Sequence, residues 1–127
     1  MQINRAFDEV LGEHRHDCVS LSVSSPNGDF ALQFAKNERL VWNVASDPPE
    51  TDYSSSAYEV VDRGHRYTLL RSKATTTAET IDEMVDLVRL VGGPDAKVES
   101  FETFTTFKGF GHHLGKLVSS VKQRVMG

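Results

Sequence analysis

The chain has 127 residues, 39% hydrophobic and 25% charged, the balance of a single soluble globular domain rather than a disordered or fibrous protein. Its net charge of −4 is unevenly placed: residues 108–127 hold Lys108, Lys116, Lys122 and Arg124 and no acid, so the acidic excess lies entirely in the body before them. An acidic body argues against general nucleic-acid binding, because that affinity grows with the number of phosphates neutralised.

A chain of this length buries a working core without a disulfide or metal staple. Cys18 is the single cysteine, which excludes an internal disulfide framework and fits a reducing compartment. The first residues, MQINRAFDEVLGEHRHD, scatter charges through the segment and lack the apolar run of a secretory leader. No stretch is apolar enough to span a bilayer, so a cytoplasmic protein is expected.

In chain order, Ile3, Phe7, Val10 and Leu11 share one side of a helix predicted over about 3–14, with Asn4 as an acceptable N-cap. Val19, Leu21 and Val23 then alternate with serines, the period of a strand with one wet face. Ser25-Pro26-Asn27-Gly28-Asp29 is turn chemistry, and Asn-Gly is a strong hairpin signal. Phe30, Leu32 and Phe34 form the inward set of the partner strand. After Lys36–Arg39, a second tight turn, Leu40, Trp42 and Val44 join the same buried face. Ser46–Ala57, with Pro48-Pro49, three acids and four serines, reads as an exposed loop. AYEVVD and RYTLLRSK are strand candidates joined by a turn at Arg63-Gly64-His65.

Thr76 and Glu79 have the form of a capping box opening a helix over 77–92. Ile81, Met84, Val85, Val88 and Val91 define its buried stripe, Leu87 widens it, and Gly92-Gly93-Pro94 ends it. KVESFETF is extended, rich in aromatic and β-branched residues. Beyond it Phe110, Leu114, Leu117, Val118, Val121 and Val125 fall on one helical side. The glycines at 109, 111 and 115 each cost a helix about 1 kcal/mol relative to alanine. The spacing therefore predicts a Gly-rich bend and a third helix over about 112–125.

Four stretches carry candidate chemistry. In HRHDC, extended backbone would place His14, His16 and Cys18 on one face, and imidazole with thiolate suits zinc or another borderline metal. No fourth ligand is specified, and the plainer reading tucks Cys18 in as a small hydrophobe. His112 and His113 follow glycines at a helix start, where they could serve as acid, base or ligand. On a helix they stand about 100° apart, so they would not chelate one ion together. Lys116, Lys122 and Arg124 surround the polar side of the final apolar stripe, a surface for an acidic partner, a membrane or nucleic acid, or the flank of a dimer. The loop residues Asp47, Glu50, Asp52 and Tyr53 make an acidic, aromatic-bearing surface for a basic protein. The sequence contains no nucleophile elbow, HExxH or paired cysteines, and no cofactor is expected.

The order of elements implies a single α+β domain spanning 1–127. It should have an antiparallel sheet of four to six strands with helices mainly on one face, since Ser20, Ser22, Gln33 and Asn43 make the other face polar. In size, acidic charge and α+β order the chain resembles small bacterial partner-binding proteins such as type III secretion chaperones and toxin-immunity proteins, departing from the former in helix placement. The resemblance implies a non-enzymatic module whose acidic body binds a basic protein, with a homodimer through the last helix or a sheet edge as a further arrangement. The alternatives are a small metal-binding protein or metal-dependent hydrolase built on His14, His16 and Cys18 or on His112 and His113, and nucleic-acid contact through the basic C-terminal helix.

Overall fold

A computed structural model describes residues 2–12, 17–37, 39–46, 51–54, 56–105 and the backbone of 118–124. In chain order these form α1 (Ile3–Leu11), β1 (Cys18–Ser24), β2 (Phe30–Asn37), β3 (Arg39–Ala45), β4 (Val60–Arg63), β5 (Tyr67–Arg71), α2 (Thr77–Gly92), β6 (Lys97–Thr105) and β7 (Val118–Arg124). All strands join one antiparallel sheet in the order β4-β5-β3-β2-β1-β6-β7. With both helices on one face, the fold is α+β.

The β1–β2 hairpin follows from its turn. Gly28, at φ 121°, occupies backbone space closed to residues with a Cβ, and the Ser25 hydroxyl donates to the Gly28 carbonyl at 2.8 Å. That fixes the register Leu21 to Leu32 and Val23 to Phe30, so the large side chains of both strands share a face. Trp42 and Val44 of β3 continue the row opposite Phe34 and Leu32.

Two helices cover this face. Phe7 of α1 stands edge-on to Phe34, ring centroids 5.5 Å apart, and packs on Trp42 at 6.0 Å. The helix begins at Ile3 with Gln2 rather than Asn4 as N-cap. It stops at Leu11 rather than 14, because Gly12 is a poor helix residue and leaves it. In α2 the Thr76 hydroxyl accepts from the Glu79 N–H at 3.2 Å. The Glu79 carboxylate reaches back to the Thr75 N–H at 3.0 Å, one residue beyond the expected box. Leu87, Val88 and Val91 are buried, whereas Val85 is exposed. Leu87 sits at the centre of contact, and two residues on a helix turn through about 200°, which carries Val85 to the solvent side. Gly92 ends α2 where a Cβ would lie 2.9 Å from the Phe30 ring, so glycine allows the close approach. A side-chain hydrogen bond from Thr77 to Asp8 ties the two helices together.

Because α2 leaves β5 on one side of the sheet and delivers β6 beside β1, residues 97–105 pair with 18–24. Six strands lie within residues 18–105. The seventh, β7, replaces the C-terminal half of the predicted third helix, and residues 112–117 of that helix lie outside the described residues. Strand is favoured at 118–124 because β6 is nine residues long. Without a neighbour it would present a long row of unpaired N–H and C=O groups. The opposite edge, β4, is short and bulged at Val61, and Asp62 accepts from the outward Arg63 N–H at 2.8 Å, all features that blunt further strand pairing. No described helix is long and apolar enough to cross a membrane.

The second face departs from the expected polar layer. At one end Cys18, Ala35, Val41, Leu69 and Phe104 form a buried apolar cluster of their own. β3 carries Val41 and Trp42 in succession, so it contributes apolar side chains to both faces.

Candidate functional site

Across the middle of the second face runs a cross-strand row of amides and hydroxyls. Asn43 Nδ2 donates to Gln33 Oε1 at 2.9 Å, and Gln33 Nε2 to Ser20 Oγ at 3.4 Å. Register extends the row to Glu102 on β6. Asn43 is 2% exposed and its Oδ1 finds no partner, a state that costs about 1–3 kcal/mol.

One row further along, Ala45, Ala31, Ser22 and Ser100 stand side by side on β3, β2, β1 and β6. Their small side chains leave a trough of about 570 Å³, rimmed by Ser24, Asp29, Ser46 and Glu99. Glu99 Oε1 accepts from Ser24 Oγ at 2.7 Å and lies 4.0 Å from Lys97 Nζ, while no hydrogen bond engages Oε2. Asp29 receives a single long contact, from the Ser25 N–H at 3.4 Å. Ser100 is 6% exposed, and its hydroxyl makes no hydrogen bond within the described protein. Ser46 is held at φ 59°, in the left-handed region, with its N–H donating to the Arg66 carbonyl at 2.6 Å.

A second polar constellation lies under α2. Glu83 Oε1 accepts from Trp42 Nε1 at 2.9 Å and Ser72 Oγ at 2.6 Å, and Oε2 accepts from the Lys73 N–H at 2.9 Å. One turn on, Asp86 accepts from the Tyr58 hydroxyl at 2.9 Å. Burial, with the neighbouring Asp86 carboxylate, pushes the Tyr58 phenol above its ordinary pKa. These carboxylates satisfy donors of the core and of the segments flanking β4 and β5, so their role is to clamp the roof helix. In the sequence Glu83 is only an acid in the first half of a helix. The signal available was the indole of Trp42, a buried donor that must find an acceptor.

The chain matches no family model, no curated protein and no solved structure.

The predicted site residues are dispersed. Tyr53 is not a surface residue: at 4% exposure it belongs to the helix-side core, with the Arg63 guanidinium 5.8 Å above its ring. An aromatic side chain inside a polar loop is a large apolar group with a strong drive to bury, and here that wins. Asp52 beside it is exposed, and hydrogen bonds from Ser54 hold its carboxyl below the ordinary value. Asp47 and Glu50 lie outside the described residues, as do His14, His16, His112, His113 and Lys116. Cys18 is fully buried beside Ala35 and Phe104, where desolvation and then Asp17 push its thiol pKa up, disfavouring the thiolate a metal or electrophile needs. Lys122 and Arg124 sit on β7, at the register positions opposite Glu102 and Ser100, rather than on a helix.

Proposed function

We propose that the chain is a non-enzymatic protein-binding module of the immunity, antitoxin, adaptor or chaperone type, acting in the cytoplasm, whose acidic surface receives a basic protein. What supports this is how its carboxylates are used. None of the described ones is buried. Several with close partners, among them Glu79, Glu83 and Asp86, hold the fold together. Asp29, Asp82, Asp95 and Glu99 are exposed on the strands, turns and roof helix, and they give the body a field that steers and holds a cationic surface.

The test is capture from a native lysate of the source cell with the purified full chain as bait. A basic protein retained in stoichiometric amount at low salt supports the proposal. It should be shed at roughly 1 M salt, where charges are screened beyond about 3 Å. Recovery of no stoichiometric partner, or of one whose retention ignores salt, sinks it.

A further inference from the structure

We propose that the trough on the second face of the sheet is where the partner docks, and that it takes a lysine or arginine side chain from an extended segment of that protein. The inference rests on the protein-binding reading and gives it a place and a chemistry. Three features carry it. The floor is made of Ser22, Ala31, Ala45 and Ser100, and so few side-chain atoms over four adjacent strands leave room for a long, thin side chain to lie against the sheet. The rim carries two carboxylates with open oxygens, Asp29 from the hairpin turn and Glu99 from β6. Lys97 approaches Glu99 only to 4.0 Å and is 75% exposed, so it is readily displaced. Finally, Ser100, 6% exposed as a residue, stands on the floor, and no described group hydrogen-bonds its hydroxyl.

An ammonium or guanidinium group supplies several N–H donors and no acceptor, and it finds here two anionic acceptors above a hydroxyl acceptor. An acidic or phosphorylated segment would meet like charge at Asp29 and at Glu99. A purely apolar segment would strand the Ser100 hydroxyl and desolvate Asp29 and Glu99 without compensation.

The experiment titrates the ¹⁵N-labelled full chain with capped Gly-Lys-Gly and Gly-Arg-Gly, with capped Gly-norleucine-Gly as the neutral control and spermidine as the non-protein cation. The expected result is a saturable amide shift confined to Ser22, Ala31, Ala45, Glu99 and Ser100, produced by the cationic peptides and not by norleucine. Asp29→Asn with Glu99→Gln should weaken it at least about tenfold, and Ser100→Ala should weaken it less. Trp42 fluorescence and circular dichroism should stay unchanged in both variants. Shifts centred on Asp82 and Asp86, or an affinity indifferent to the double substitution, overturn the trough. Spermidine binding there more tightly than either peptide overturns the choice of a protein segment. The same double variant used as bait separates the two proposals: equal capture by variant and wild type refutes the trough alone, whereas no capture by either refutes the protein-binding reading beneath it.

Discussion

Trp42 and Asn43 are neighbours on β3 and point to opposite faces of one sheet. Both are buried and both carry polar atoms, yet only in Trp42 are all of them matched. The Trp42 indole donates to Glu83 beneath α2, whereas Asn43 Oδ1 has no partner. On the helix-covered face the rings interlock and the Trp42 indole has its acceptor. The other face is sealed by apolar packing around Cys18 at one end, threaded by a half-satisfied amide row in the middle, and open at the trough beyond. On this face a buried acceptor stays without a donor, whereas under α2 the buried indole has its acceptor.

The contrast breaks most visibly if the covered face tolerates a cavity. Phe34 touches both Phe7 and Trp42 and is fully buried. Phe34→Ala should lower stability by about 3–5 kcal/mol in urea unfolding. A loss below about 1 kcal/mol would mean that α1 is not seated on the sheet as described.

The next largest effect tests the clamp. Glu83→Ala leaves the Trp42 N–H and the Ser72 hydroxyl without their acceptor, at a cost of about 1–3 kcal/mol. Trp42 is the only tryptophan in the chain, so its emission should report a changed surrounding as well as the shifted midpoint. Unaltered emission and stability together would show that water, and not Glu83, satisfies the indole.

Tyr58 gives a smaller and pH-dependent effect. Its folded pKa lies above the unfolded value near 10, because burial and then the Asp86 hydrogen bond favour the neutral phenol. Stability from this group is therefore fully present below the unfolded pKa and is lost as pH rises toward the folded one, while the unfolded chain ionises first. Tyr58→Phe should cost roughly 1 kcal/mol at neutral pH and flatten the decline in stability above about pH 10. An unchanged alkaline slope in the variant would place Tyr58 outside the linkage.

Much of the covered face is legible in the residues. Asn27-Gly28 between two alternating runs announces the first hairpin, and Thr76 with Glu79 announces α2. What escapes is what depends on long-range placement. Val85 and Leu87 are equally apolar, and only the docking of α2 on the sheet decides which one is buried. Residues 118–124 have valines that suit a helix stripe, and the unpaired edge of β6, formed some twenty residues earlier, is what selects strand. The trough is the extreme case, because its floor draws residues 22, 31, 45 and 100 from four strands, and small residues carry no motif. The apolar cluster around Cys18 did leave a trace in the consecutive Leu40, Val41 and Trp42, which a strand with one wet face would not show.

The sharpest version of the comparison predicts almost no effect at all. Replacing Gln33 and Asn43 together by leucine removes the hydrogen bond between them and the unmatched Asn43 carbonyl at once. Exchanging both partners of a buried polar pair for apolar groups of similar size is close to neutral. The double variant should therefore stay within about 1 kcal/mol of wild type. Asn43→Leu alone should do worse than the pair, since it leaves Gln33 Oε1 without its donor. If folding needs the amide row for register, the double variant instead loses several kcal/mol and its β2–β3 amides exchange faster. If the row belongs to the face that meets a partner, folding survives and capture from lysate weakens. The two measurements separate a polar row that builds the sheet from one that the finished sheet presents.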